Sequence, residues 1–110
     1  MELKITNEAK EQLQALNPDN RRYLRLYYDT EGCGCGVNGV PTLRWTDTRT
    51  DWDQGVDNED FEVILHQQQA VFFEKSLRLE IVNGKLRLSS PNGVLNPVIP
   101  GSEVMKGDSA

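Results

Sequence analysis

The chain has 110 residues, with 17 acidic against 12 basic side chains for a formal charge of −5, a hydrophobic fraction of 37% and two cysteines. That length fits one domain able to bury a core without disulfides or structural metal, and the negative balance argues against nucleic acid, which needs a positive face. No apolar run approaches the length of a membrane span, and Met1-Glu2-Leu3-Lys4 opens without a basic and apolar leader, so a cytoplasmic protein with free thiols is expected.

In chain order, Leu3-Lys4-Ile5 reads as a short strand. Thr6 is placed to cap a helix whose first turn carries Glu8, where a negative charge complements the helix dipole. Ala9, Leu13 and Leu16 fall at i, i+4, i+7 and give that helix one narrow apolar stripe, ended by Asn17-Pro18-Asp19-Asn20. From Arg22 to Asp29 the residues alternate, with Tyr23, Arg25 and Tyr27 on one side and Leu24, Leu26 and Tyr28 on the other, as a strand requires. Thr42-Leu43-Arg44-Trp45-Thr46 alternates again and is expected to pair antiparallel with it, Leu43 and Trp45 pointing inward.

Asp47, Asp51, Asp53, Asp57, Glu59, Asp60 and Glu62 then form a stretch with Arg49 as its one base, which reads as an exposed acidic loop without calcium-loop spacing. Phe61 to Leu65 is a strand with a buried middle, and Gln67 to Glu74 a short helix burying Val71 and Phe72 or Phe73. Leu77 to Val82 and Lys85 to Ser89 alternate on either side of Asn83-Gly84, a strong type I′ turn signal. Pro91, Pro97 and Pro100 make the remainder irregular, and residues 105–110 are expected to fray. One helix followed mainly by hairpin-linked strands implies a mostly β, α+β domain: a compact, twisted, largely antiparallel structure capped by the N-terminal helix.

The segment between the second and third strands holds both thiols, in Gly32-Cys33-Gly34-Cys35-Gly36. Thiols spaced i, i+2 in an extended segment project to the same side, and the flanking glycines let a bulky inorganic group approach the backbone. Cys33 and Cys35 therefore read as a ligand pair. A disulfide between them would span the upper end of the usual Cα separation and close almost no loop entropy. The pair supplies two ligands where a tetrahedral site wants more. The lone histidine, His66, closes a strand and reads as a surface residue rather than a ligand. Dinucleotide, serine-hydrolase and thioredoxin-type patterns are absent, because neither the strand–glycine–helix order, nor an elbow, nor CxxC occurs.

The opening Leu3-x-Ile5-Thr6-x-x-Ala9, the strand Leu24-Arg25-Leu26, the turn Gly32-Cys33-Gly34 and the late hairpin ending in Ser90-Pro91-Asn92 together span most of the chain. In this order they resemble the HesB-like (IscA-like, A-type carrier) iron-sulfur biosynthesis family. The resemblance implies a single HesB-like domain over residues 1–104. It also implies a role in holding iron or a cluster, usually between subunits. Family carriers have one cysteine in the first glycine turn and a Cys-Gly-Cys near the C-terminus. Cys33 matches the turn cysteine, Cys35 has no counterpart, and Asn92 to Val98 contains no cysteine, as in a divergent bacterial branch.

The expectation is a non-enzymatic protein that binds iron or a [2Fe-2S] cluster through Cys33 and Cys35, in cluster assembly or delivery to apoprotein acceptors. A homodimer would supply four thiolates. The alternative is an interaction or structural module that kept the scaffold and lost the carrier chemistry.

Overall fold

The computed structural model describes residues 1–29 and 40–106. Strand β1 (Glu2–Ile5) runs into helix α1 (Asn7–Ala15), where the Thr6 hydroxyl accepts the Ala9 N–H at 3.3 Å and satisfies one of the orphan donors of the first turn. Ala9 and Leu13 are fully buried, as their spacing predicts. At the other end the Trp45 indole donates to the Leu13 carbonyl at 3.0 Å, tying a helix-terminal carbonyl to the sheet below. Asn17 closes the exit by accepting the Arg21 N–H and donating to its carbonyl, at 2.8 and 3.0 Å.

Strands β2 (Tyr23–Asp29), β3 (Val40–Thr46), β4 (Asp53–Val56) and β5 (Glu62–His66) form a mixed sheet in the order β3-β2-β5-β4. The β2–β3 pairing is antiparallel from Tyr23↔Thr46 to Asp29↔Val40, as the alternation predicts. The β2–β5 pairing is parallel, from Tyr23↔Glu62 to Leu26↔Leu65. A second mixed sheet has the order β1-β6-β7-β8, from β6 (Ser76–Val82), β7 (Lys85–Ser90) and β8 (Gly93–Ile99), with β1 parallel to β6. Asn83 and Gly84 take positive φ of 53° and 78° at the β6–β7 turn, the conformation that an Asn-Gly pair favours. Helix α2 (Gly101–Lys106) follows. No helix among the described residues is long and apolar enough to cross a membrane.

The core lies between the sheets. Leu3, Leu77, Leu79, Leu86, Leu88 and Ile99 from one meet Leu24, Leu26, Leu43, Trp45, Val63 and Leu65 from the other, with Ala9, Leu13 and Val104 from the helices. Burial of these side chains is the main favourable contribution to folding. The sheets are also joined through the backbone: Leu3 N–H donates to the Asp57 carbonyl at 2.9 Å, and Asp57 N–H to the Met1 carbonyl at 3.1 Å.

Three expectations are corrected. The acidic stretch is not simply an exposed loop, because β4 runs through it and Asp53 is buried against Arg25. Pairing with β5 makes this strand despite its weak local preference, Gly55 facing Ile64. The segment after β5 is a 3₁₀ helix (Gln67–Phe72) in which Val71 is 81% exposed and Phe72 half-exposed, so Phe73 alone turns into the core. The proline-rich remainder contains β8, an edge strand, where Pro97 is tolerated because a missing donor need not break a ladder on both sides.

Candidate functional site

Cys33 and Cys35, with the glycines around them, lie outside the described residues, and so does the expected extended spacing of the two thiols. The arms on either side are described. Asp29 faces Val40 as the last pair of the β2–β3 ladder, preceded by Tyr28↔Pro41. The ends of segment 30–39 therefore leave from adjacent strands.

Antiparallel pairs alternate between exchanging hydrogen bonds with each other and directing their backbone groups outward. Tyr28↔Pro41 is of the outward kind, and a proline there removes no bond from the β2–β3 ladder. The Tyr28 N–H donates outward to Gln69 Oε1 at 3.1 Å, and the Tyr28 ring stacks on Phe72 with centroids 4.1 Å apart and planes 8° apart. On the other arm, the outward Pro41 carbonyl accepts from Asn96 Nδ2 at 2.8 Å. Asn96 is buried, and its Oδ1 accepts the Val98 N–H at 3.2 Å. The β7–β8 register slips on both sides of the Leu88↔Asn96 pair, and such irregularities re-aim side chains, here toward β3.

A third contact steadies the same hairpin. The Tyr27 hydroxyl donates to Glu103 Oε2 at 3.3 Å, the Arg44 guanidinium sits 4.5 Å over the Tyr27 ring, and Arg21 Nη1 donates to the Met105 carbonyl at 3.1 Å. Helix α2 is thereby docked on the β2–β3 arms. Val40, Thr42, Asn96, Pro97, Val98 and Glu103 line an open recess beside the start of β3. The C-terminal strand thus runs next to the loop base, and it presents a carboxamide and apolar groups there.

His66 is placed at the same end of the sheet, but its Nδ1 accepts the Gln68 N–H at 3.1 Å and caps the 3₁₀ helix. Accepting at Nδ1 leaves the proton of a neutral ring on Nε2, so His66 is used as a cap. Among the described residues no group of three or more His, Cys, Asp or Glu is arranged to hold a metal. Beside the hairpin, Asp53 receives a two-pronged bond from Arg25 at 2.7 and 3.0 Å and a further one from Thr50 N–H at 2.8 Å. Burial pushes its carboxyl up, but these bonds and the Arg25 charge outweigh burial and hold it below the ordinary aspartate value. Gln69 and Asn96 gave no sequence signal beyond the extended backbone that Pro97 imposes on the residue before it.

A family model described as iron-sulphur cluster biosynthesis matches residues 1–100. The chain belongs to this family. The uncharacterized protein YqkB of Bacillus subtilis is 34% identical over 103 residues, covering 88% of this chain and 94% of that protein. A candidate Fe-S biosynthesis protein from Lactobacillus salivarius superposes with a TM-score of 0.71 at 18% identity, over 90% of this chain and 94% of the other. IscA, in a crystal structure with the [2Fe-2S] cluster, superposes with a TM-score of 0.61 at 16% identity, over 89% and 99% of the two chains. At such identities the structures establish the shared HesB-like fold, which the order of sequence features had already pointed to.

Proposed function

We propose that this protein carries iron or a [2Fe-2S] cluster as cargo in cluster assembly or delivery, held by the thiolates of Cys33 and Cys35. The observation that carries the reading is a family member whose only two cysteines sit within one segment bounded by the paired residues Asp29 and Val40. Cysteine thiolates are the usual ligands of iron-sulfur clusters, and two thiols at i, i+2 fit two of the positions such a group offers. The fold likeness to a cluster-bearing IscA supports the same reading. Of the described side chains near the loop base, Glu103 accepts from the Tyr27 hydroxyl and His66 caps the 3₁₀ helix, so the ligands are assigned to the two thiolates of the loop. No bond-making chemistry is required of the chain. Its role is to hold, protect and release, toward apoprotein acceptors.

Anaerobic reconstitution with ferrous iron and sulfide tests this. The wild type is expected to gain visible absorption and bound iron, and Cys33→Ser and Cys35→Ser each to lose stable binding, because affinity falls steeply once a direct ligand is gone. Far-UV circular dichroism of both variants should match the wild type. A colourless wild-type protein without iron overturns the proposal.

A second reading, an interaction module without cargo, is favoured by one observation. Strand β8 beside the loop base carries Asn96-Pro97-Val98 and no thiol. In that case partner capture would be indifferent to both serine substitutions and to iron.

A further inference from the structure

The Tyr28 N–H and the Pro41 carbonyl point away from each other, out of opposite edges of the two-stranded arm that carries the cysteines. In a continuing sheet each would meet a neighbouring strand. Here β5 pairs with β2 only as far as Leu65, and β3 is one of the two edge strands of its sheet. A backbone group left unpaired at such a point is costly and lets the arm fray. Both groups are instead satisfied by side-chain carboxamides from distant parts of the chain, Gln69 on one side at 3.1 Å and Asn96 on the other at 2.8 Å.

We propose that Gln69 and Asn96 are positioning residues for the thiolate-bearing loop, a pair of carboxamide clamps that fix the two arms immediately before and after it. Each clamp is itself held. Gln69 sits in the 3₁₀ helix that His66 caps at its start and Phe72 anchors by stacking on Tyr28. Asn96 is 6% exposed, bonded to the Val98 N–H, and set between two register slips. The two amides act in opposite senses, Gln69 as acceptor and Asn96 as donor, so the chemistry of each is separable from its bulk. By fixing both arms, the clamps hold Tyr28 and Pro41 in place at either end of the segment that carries the thiols, and they lower the ordering cost of binding an ion there.

The inference rests on the cargo reading above, and its test separates the two. Amide hydrogen exchange is measured on the apoprotein together with iron affinity. Gln69→Leu is expected to speed exchange at Tyr28, and Asn96→Ala at Val98, by roughly fivefold to tenfold as one hydrogen bond is lost. Amides of the β6–β7 hairpin should keep their wild-type rates. Iron affinity should fall about tenfold to a hundredfold in both variants, the range seen when groups that orient metal ligands are removed. Gln69→Glu keeps the acceptor and should retain wild-type values on both readouts, whereas a purely packing role predicts that Gln69→Leu, of similar bulk, would retain them as well. Iron affinity equal to wild type in both loss variants overturns the clamps. If the wild type takes up no iron, the cargo reading fails and the clamps are judged on the rates at which iodoacetamide alkylates Cys33 and Cys35 in the apoprotein. The loss variants then change those rates and Gln69→Glu does not, and unchanged rates overturn the proposal.

Discussion

Asp53 is the one charged side chain that is buried among the described residues, and it shows how a stretch of acids is divided between solvent and structure. Its carboxylate accepts from Nη1 and Nη2 of Arg25 and from Thr50, while Arg25 Nη2 also donates to the Thr48 carbonyl at 2.8 Å. The segment from Thr46 to Asp53 is folded back onto β2 by these bonds. Removing the carboxylate would leave the partly buried Arg25 without its countercharge, so Asp53→Asn is expected to cost about 3 kcal/mol at pH 7 in urea unfolding. The carboxyl sits lower in the folded than in the unfolded state, whose ordinary value is 3.8. Its contribution is therefore present in full above that value and drains away as pH falls through the folded one. The gap between wild type and Asp53→Asn should narrow below about pH 4. An equal gap at pH 7 and at pH 3 would show that the ion pair is not what the substitution removes.

At the scale of elements, what the chain discloses depends on whether local sequence or tertiary pairing decides. The β6–β7 hairpin is local: Leu77, Leu79 and Ile81 alternate with charged residues, and Asn83-Gly84 supplies the turn. Gly84, at φ 78°, should not tolerate a side chain even though a Cβ there would touch nothing, and Gly84→Ala is expected to lower stability by about 1 kcal/mol. Gly55 is also in open space but has ordinary backbone, so Gly55→Ala should change the thermal midpoint much less. Equal shifts for the two would refute a conformational origin. β4 and β8 each pair with a strand adjacent in sequence, yet they were not legible because their own residues carry little strand preference or alternation. β4 exists by pairing Asp53 through Val56 with β5, and β8 is a bulged edge strand around Pro97. The parallel pairings β1–β6 and β2–β5 join segments far apart in the chain and leave no local pattern at all. The two thiols were conspicuous in the sequence, whereas the amides gripping their hairpin were not, since a glutamine in Gln67-Gln68-Gln69 and an asparagine before proline look like ordinary surface.

For the molecule as a whole, the thiol count sets what can be assembled. On the proposed reading, a [2Fe-2S] centre with four cysteine ligands takes two from each of two copies of the chain. In that arrangement the two chains, each carrying a charge of −5, repel, so the loaded assembly should gain from added salt. On the proposed reading, native mass spectrometry of anaerobically loaded protein is expected to find the cluster in species of two chains, with about one iron per chain. Cys33→Ser and Cys35→Ser should carry no cluster in any species. His66 cannot make up the number while it caps the 3₁₀ helix, so His66→Asn, whose side-chain oxygen can take over the cap, should keep both that helix and the cluster content. A cluster held by a single chain would mean that ligands other than the two thiolates complete the site, and the two-chain arrangement would have to be abandoned.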